Sequence, residues 1–189
     1  MLTNSESIIL MGIKHCGKST QGKLLAQKLN YPFYDTDDII FEQTNKTARE
    51  IFNEGGQEAF MQAEENACTF ILQKRLPAVI STGGGICVNQ KALDILKQLG
   101  QFIFLEAEES ICANRIVNKI TQKPDGTFEN IPAYIAKKNP HTISDIRIIF
   151  HDFYVERTSL YKQIADISFS VQNISKEENS EHLFSLLKQ

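Results

Sequence analysis

The chain contains 189 residues, of which 42% are hydrophobic and 23% are charged, and its formal net charge is −3. This composition is typical of a globular protein and argues against disorder of the whole chain. The sequence lacks the basic stripe of a nucleic-acid binder, a signal-peptide pattern at its start and the ~18 consecutive apolar residues of a membrane span.

Short apolar runs alternate with amphipathic helical patterns along the chain. The predicted strands are, in order, 7–11, 32–34, 78–81, 102–105 and 167–171. The predicted helices are 17–29, 57–73, 89–99, 109–118 and a terminal helix that begins at Ser175. Apolar strands that alternate with helices predict parallel pairing, and hence a three-layer α/β sandwich with a five-stranded sheet.

A polar segment from about 119 to 144 interrupts this alternation. It carries one glycine and three prolines, namely Gly126, Pro124, Pro132 and Pro140. A loop of this length is usually functional or mobile. Two interpretations stay open, a lid over the ligand site and a passive surface insertion.

A phosphate-binding loop lies between the first strand and the first helix. The segment from Gly12 to Ser19 matches G-x-x-x-x-G-K-[ST], whose backbone N–H groups form an anion site at a helix N-terminus. We expect Lys18 to reach the β- and γ-phosphates of ATP and Ser19 to bind Mg²⁺. The other nucleotide-binding candidates here are Gly12, Lys14, Cys16, Gly17 and Thr20.

Acidic residues follow two of the other predicted strands, at the edge of the sheet where such folds bind ligands. Asp35 is a candidate for the Mg²⁺ shell, and Asp37 can orient an acceptor hydroxyl. Helix N-capping by Asp35 or Thr36 is the structural alternative, and both roles can coexist. Glu106 ends the fourth strand either as a Walker B mimic or as an ordinary strand-end acid.

Five motifs occur in order between about residues 8 and 169: GIKHCGKST, FYDTD, the Gly-x-Glu-x-Phe run from Gly56 to Phe60, STGGG, and ERTSLY followed by IAD. In this series the chain resembles the shikimate kinase family of P-loop kinases. The resemblance implies the strand order 2-3-1-4-5 and the cofactors ATP and Mg²⁺. It also implies phosphorylation of a small hydroxylated substrate, with shikimate as the first candidate.

The resemblance further implies roles for the residues that match. Lys18 would neutralise the transferring phosphate, Asp35 would act on the metal through water, and Asp37 would favour the attacking hydroxyl of the acceptor. Arg157 would pair with the carboxylate of the acceptor. The backbone N–H groups that would contact the acceptor belong to Gly83, Gly84 and Gly85.

Arg157 also stands out on physical grounds, because it falls on the apolar stripe of its predicted helix. That stripe consists of Ile146, Ile149, Phe150, Phe153, Leu160 and Ile164. A buried guanidinium needs an anionic partner. The partner is either a ligand carboxylate or an internal acid, with Glu156 and Asp166 as the candidates.

Three positions depart from the family pattern or align loosely with it. Met61 stands in the substrate pocket where the family has a second arginine for the acceptor carboxylate, and methionine cannot donate a charge-assisted hydrogen bond. Lys123 stands where the family has the lid arginine that closes over the nucleotide, and Arg147 is the alternative lid cation. Arg115 corresponds to the arginine that stacks on adenine.

These departures leave three hypotheses for the function. The first is a shikimate kinase with a rearranged carboxylate site, the second a related kinase for another polyol or hydroxy acid, and the third a non-catalytic nucleotide-binding relative. The intact phosphate loop and acids argue against the third.

The four cysteines are far apart, and no CxxC pair suggests a zinc site or a disulfide framework. We therefore expect the protein in the reducing cytoplasm. We also expect one domain over residues 1–189, a monomeric state and a small-molecule substrate. We expect neither a nucleic acid nor a membrane as its partner.

Overall fold

A computed structural model describes residues 6–124 and 126–188. Five parallel strands form its central sheet, in the spatial order β2-β3-β1-β4-β7. Their bounds are β1 Ser7–Met11, β2 Phe33–Asp35, β3 Val79–Ser81, β4 Gly100–Ala107 and β7 Ile167–Val171. The predicted sheet and its order are confirmed, since β7 is the fifth predicted strand and the short β5 and β6 belong to a separate hairpin.

Strand β1 lies in the middle of the sheet and divides the core into two parts. Ile8 and Leu10 pack into the hydrophobic cluster on one face, while Ile9 and Met11 pack into the cluster on the other. All four side chains are fully buried. Successive side chains of a strand point to opposite faces, so a continuous apolar run is what a strand covered on both faces requires.

Helices cover both faces of the sheet and complete the three layers. One core includes residues of α1, α5, α7 and α8, and the other includes residues of α2, α3 and α4. None of the helices within the described ranges is long and apolar enough to cross a membrane. The helix bounds are α1 Lys18–Leu29, α2 Thr36–Thr44, α3 Ala48–Gln73, α4 Gln90–Lys97, α5 Glu109–Val117, α6 Ala133–Ala136, α7 Ile143–Ile164 and α8 Lys176–Leu187.

The region before residue 57 contains helical structure that the sequence patterns did not predict. Helix α2 is absent from the predicted elements, and α3 begins at Ala48 behind the capping box of Thr47 and Glu50. Gly56 has non-helical backbone angles, with φ 71° and ψ −164°, and so interrupts α3. This break explains why apolar periodicity predicted a helix that begins only at Gln57.

The segment from 119 to 144 has structure of its own rather than being a simple loop. Strand β5 (Thr121–Gln122) pairs antiparallel with β6 (Phe128–Glu129), and the short helix α6 follows. Arg49 donates a hydrogen bond to the carbonyl of Ile131, which ties the segment to α3. The Lys137 ammonium lies 4.0 Å from the ring centroid of Phe52, which is also on α3. We call residues 119–142, up to the N-cap of α7, the lid segment.

Candidate active site

The loops that follow β1 and β3 and the junction between β2 and α2 meet at the carboxyl edge of the sheet and border a cavity of about 840 Å³. This volume is within the range of small-molecule binding sites. Gly12, Cys16 and Lys123 are absent from its lining, and the first two are buried residues of the phosphate loop itself. The sequence-predicted residues that line it are Lys14, Gly17, Lys18, Ser19, Thr20, Asp35, Asp37, Met61, Gly83, Gly84, Gly85, Arg115 and Arg157.

The phosphate loop is held in a preformed shape by its own lysine. The Lys18 ammonium donates to the carbonyl oxygens of Gly12, at 2.8 Å, and Ile13, at 3.0 Å. Gly12 has φ 152°, and a Cβ there would lie 2.7 Å from the carbonyl oxygen of Leu105 and 2.8 Å from the sulfur of Cys16. Glycine is therefore required at the start of the loop.

Positive charge is concentrated around the tip of the loop. His15 adopts φ 69°, and its carbonyl oxygen accepts a hydrogen bond from Arg115 at 2.6 Å. Burial, with a further contribution from the neighbouring cations Lys119, Lys14 and Lys18, lowers the pKa of the His15 imidazole to about 4. The imidazole is thus neutral at pH 7, and the surrounding cations suit a polyphosphate.

Ser19 and Asp35 bring two oxygen ligands together from α1 and β2. The Ser19 hydroxyl donates to Oδ2 of Asp35 at 2.6 Å, while Oδ1 of Asp35 accepts from the Asp37 backbone N–H at 3.1 Å. Asp35 therefore caps α2 and faces Ser19 at the same time. A hydroxyl and a carboxylate fit Mg²⁺, which binds few protein oxygens and takes its other ligands from water and phosphates.

Two carboxylates approach the glycine loop that follows β3. The Gly83 N–H donates to the Thr36 hydroxyl at 3.0 Å. A Cβ on Gly83 would lie 3.0 Å from Oδ1 of Asp37 and 3.2 Å from Oε1 of Glu64, so a side chain would close the gap between them. Burial raises the pKa of the Asp37 carboxyl, with a further contribution from Asp35. Burial also raises the pKa of Glu64, to about 7.

Glu64 is a site residue that the motif analysis did not single out. The signal for it was an acid on the otherwise apolar face of its predicted helix, beside Ala63 and Ala67. Tyr161 was missed in the same way, since its position within the ERTSLY motif gave no role for it. Its buried hydroxyl donates to the Gly84 carbonyl at 2.6 Å and so fixes the glycine loop.

The Arg157 guanidinium lies at the cavity wall with donors still available. Its side chain is 15% exposed, and the closest ion pair, from Nε to Glu156, is long at 3.9 Å. Nη1 contacts the Cys87 sulfur at 3.4 Å, and the guanidinium carbon lies 5.0 Å from the Phe153 ring centroid. Nε is buried without a hydrogen-bond partner in the described structure. This arrangement suits an anion supplied by a ligand.

Two acids considered in the sequence analysis are engaged elsewhere. Asp166 accepts the backbone N–H of Phe102 at 2.8 Å, so the internal ion pair with Arg157 is not its role. Glu106 pairs with Lys162 at 2.7 Å and does not line the cavity. Glu106 is therefore an ordinary strand-end acid rather than a Walker B mimic.

Met61 lines the cavity and presents a thioether. Its sulfur lies 3.8 Å from the amide nitrogen of Gln57, and its carbonyl oxygen accepts from Asn89 at 2.9 Å. The side chain thus adds apolar surface to the cavity wall.

The lid segment places other cations at the cavity than those predicted. Lys123 lies in the β5–β6 hairpin, where its ammonium pairs with Glu129 at 2.8 Å. Arg147 donates to the side-chain oxygen of Asn114 at 2.7 Å. The lysines of this segment that line the cavity are Lys119 and Lys137. Sequence could not separate these cations, because a polar segment without periodicity does not reveal which side chains turn inward.

Comparison with known proteins identifies the family. The shikimate kinase family model matches residues 14–188. The shikimate kinase of Mannheimia succiniciproducens is 28% identical over 188 residues, which cover 98% of this chain and 97% of that protein. That of Chlorobium chlorochromatii is 38% identical over 117 residues, or 62% of this chain and 60% of the relative.

Solved structures agree in fold along nearly the whole chain. The shikimate kinase of Bacteroides thetaiotaomicron superimposes with a TM-score of 0.78 at 26% identity, covering 97% of this chain and 99% of its own. That of Acinetobacter baumannii, in complex with shikimate, has a TM-score of 0.79 at 23% identity, covering 97% and 93%. Fold, motif order and family match agree, and the chain belongs to the shikimate kinase family.

Proposed function

We propose that this chain transfers the γ-phosphoryl group of ATP to a hydroxyl of shikimate, the reaction of its family. One observation supports this most strongly. A single cavity combines the phosphate loop and the Ser19–Asp35 pair with Asp37 and with a guanidinium, on Arg157, that has an unpaired buried donor. The phosphate loop and the Ser19–Asp35 pair suit the nucleotide and its metal ion, while Asp37 and Arg157 suit a hydroxylated carboxylic acid.

The nucleotide-binding roles follow from the cations and N–H groups of the loop. Lys18 would transfer its hydrogen bonds from the loop carbonyls to the β- and γ-phosphates, and Lys14 and Arg115 would neutralise further charge. Thr20 would add its backbone N–H at the start of α1. The contribution of Gly12, Cys16 and Gly17 is to shape the loop. The role expected for Lys123 stays a prediction.

Ser19 and Asp35 would hold Mg²⁺, either directly or through water. Bound there, the ion would neutralise charge on the phosphates as the γ-phosphoryl group leaves. The protein's own task is to keep the two oxygens together. The hydrogen bond between them and the N-cap geometry of Asp35 serve that end.

Asp37 would orient the attacking hydroxyl and accept its proton. Its carboxylate lies beside Gly83, whose missing side chain leaves room for an acceptor hydroxyl to approach Asp37. The Gly83 N–H itself donates to the Thr36 hydroxyl, so the contact expected from that N–H to the acceptor is not available in this structure. The pKa of Asp37 is raised by burial, which makes the carboxylate a stronger base than a free aspartate. The backbone of Gly84 and Gly85 would complete the contacts with the acceptor.

Arg157 would bind the acceptor carboxylate, without help from a second arginine at position 61. A related polyol kinase is the second candidate function, because the Met61 thioether favours a less anionic acceptor. Shikimate and its methyl ester distinguish the two. If Arg157 binds the acceptor carboxylate, shikimate is the better substrate, and if the apolar surface of Met61 dominates, the methyl ester is better.

The proposed function is tested by following ADP release with shikimate and with its methyl ester, at saturating ATP and Mg²⁺. We expect shikimate to stimulate ADP release well above the ATP-only rate and the ester to be a poorer substrate. Lys18→Ala should abolish the stimulation while the circular dichroism spectrum stays that of the folded chain. ADP release without a response to shikimate would refute the acceptor, and an active Lys18→Ala variant would refute the phosphate-loop assignment.

A further inference from the structure

Glu64 is a buried carboxyl with one oxygen left unpaired. The residue is 1% exposed, and its Oε2 accepts a hydrogen bond from the Asn89 amide at 3.1 Å. Its Oε1 has no hydrogen-bond partner in the described structure, although the residue lines the cavity. An unpaired buried oxygen is costly to the fold, so such a group is usually retained for a ligand.

The charged groups around Glu64 do not stabilise a second anion at this place. Asp37 approaches it from α2, and Glu65 and the Cys68 thiol lie near it on α3. The charge of Arg157 on α7 favours the ionised form of Glu64, and Asn89 at the N-cap of α4 offers it a neutral amide. The ammonium of Lys91 lies 3.9 Å from Glu65, outside the cavity lining.

Met61 lies three residues before Glu64 on the same helix, and both side chains line the cavity. A cation at position 61 would stabilise an ionised Glu64, but a thioether cannot. An acceptor carboxylate that docks on Arg157 would therefore compete with Glu64 for the electrostatic stabilisation that this guanidinium gives. Two neighbouring carboxyls that share one cation hold a proton more readily than either does alone.

We propose that Glu64 takes up one proton from solvent when the acceptor carboxylate docks on Arg157, and that its protonated Oε1 then donates a hydrogen bond to the acceptor. The inference rests on the proposed function, since it assumes an anionic acceptor in this cavity. It makes Glu64 a specificity-determining residue that joins Arg157 in reading the carboxylate. In this chain the protonated Glu64 carboxyl would be a neutral hydrogen-bond donor beside Met61, whose thioether carries no charge.

The coupling gives acceptor binding a pH dependence of definite sign. Glu64 has a pKa of about 7, raised first by burial, so its protonated fraction falls about tenfold per pH unit above that value. The acceptor carboxylate stays ionised throughout, because free carboxyls titrate near pH ~4. The KM for shikimate should therefore rise with pH above 7.

The experiment measures the KM for shikimate from pH 6.5 to 8.5 at saturating ATP and Mg²⁺. For the wild-type enzyme we expect an increase of about 25-fold over this range, because the protonated fraction of a group with a pKa of about 7 falls by about that factor between the two pH values. Glu64→Gln, whose amide donates at every pH, should vary by less than about twofold. Glu42→Gln changes an exposed acid on α2 outside the cavity lining and should follow the wild-type profile. Titration of the nucleotide is common to all three proteins and cancels in the comparison.

Calorimetry of shikimate binding to the wild-type protein, in two buffers of different ionisation enthalpy, gives the number of protons taken up. We expect an uptake approaching one proton at pH 8. Zero uptake, or a KM that is flat or falls with pH, would overturn the proposal. Either result would mean that Glu64 stays ionised in the complex and accepts a hydrogen bond from a hydroxyl instead of donating one. Turnover with a flat KM refutes the role of Glu64 alone, whereas proton-coupled binding without turnover refutes the proposed function.

Discussion

The residue at position 61 determines whether one or two cations bind the acceptor carboxylate. We expect Met61→Arg to lower the Kd for shikimate by about 10- to 100-fold, since a charge-assisted hydrogen bond contributes about 1.5–3 kcal/mol. Calorimetry at pH 7.5 measures the change. Gln62→Arg is the matched control, because it places the same cation at an exposed site on α3 that does not line the cavity. An unchanged or higher Kd for Met61→Arg, with the control unaffected, would show that the pocket serves a different acceptor group.

Single residues also show what a sequence can and cannot reveal about the site. Lys18, Ser19 and Asp35 belong to motifs whose chemistry is local, and the structure brings them to one edge of the sheet. Glu64 belongs to no such motif. Its importance depends on burial and on an unpaired oxygen, which are properties of the packed helices rather than of the sequence pattern.

At the scale of elements, the phosphate loop depends on close contact with strand β4. We expect Gly12→Ala to raise the KM for ATP by more than tenfold and to lower the melting temperature. The added Cβ would lie 2.7 Å from the carbonyl oxygen of Leu105, and φ 152° disfavours any side chain. ATP titrations and thermal unfolding measure the two effects. Gly126→Ala in the β5–β6 hairpin is the matched control, because it also changes a glycine with positive φ, at 83°. Among the described residues, none beyond its chain neighbours lies within 4 Å of its Cβ position, so this variant should leave the KM for ATP close to wild type. Equal KM values for the two variants would contradict the packing argument.

The lid segment tests which of its lysines serves the nucleotide. We expect Lys119→Ala to reduce kcat/KM for ATP by about tenfold, because Lys119 lines the cavity close to His15 and the phosphate loop. Lys123→Ala should reduce it less, since that ammonium pairs with Glu129 in the hairpin. Steady-state kinetics on both variants decide the matter. A larger loss for Lys123→Ala would restore the role expected for it from the family pattern.

Elements differ in how far the sequence predicts them. Strands such as β1 are apolar after Ser7 because both faces of the sheet are covered, and these apolar runs were predicted from the sequence. The sheet order was predicted only from the resemblance to the shikimate kinase family. Helix α2 and the first part of α3 were missed because Gly56 breaks the periodicity and because Thr47 starts a helix with few buried side chains. The hairpin of the lid segment is too short to produce a detectable alternation.

The whole molecule carries the cost of the buried acid as a pH-dependent stability. The pKa of Glu64 rises from 4.5 to about 7 on folding, so the folded chain binds more protons in that interval and its free energy of unfolding falls as pH rises through it. We expect Glu64→Gln to be more stable than wild type at pH 8 by about 1–3 kcal/mol, with the gain vanishing near pH 4.5. Denaturant unfolding at both pH values measures the difference. A gain that is absent at pH 8, or equal at both, would contradict the burial of an unpaired carboxyl.

The central claim is that this chain phosphorylates shikimate, and mass spectrometry of the reaction products tests it most directly. The protein is incubated with ATP, Mg²⁺ and shikimate, and the acceptor and nucleotide are quantified together. We predict one phosphorylated shikimate for each ADP formed, and none with Lys18→Ala. ADP that accumulates while shikimate stays unmodified would contradict the account.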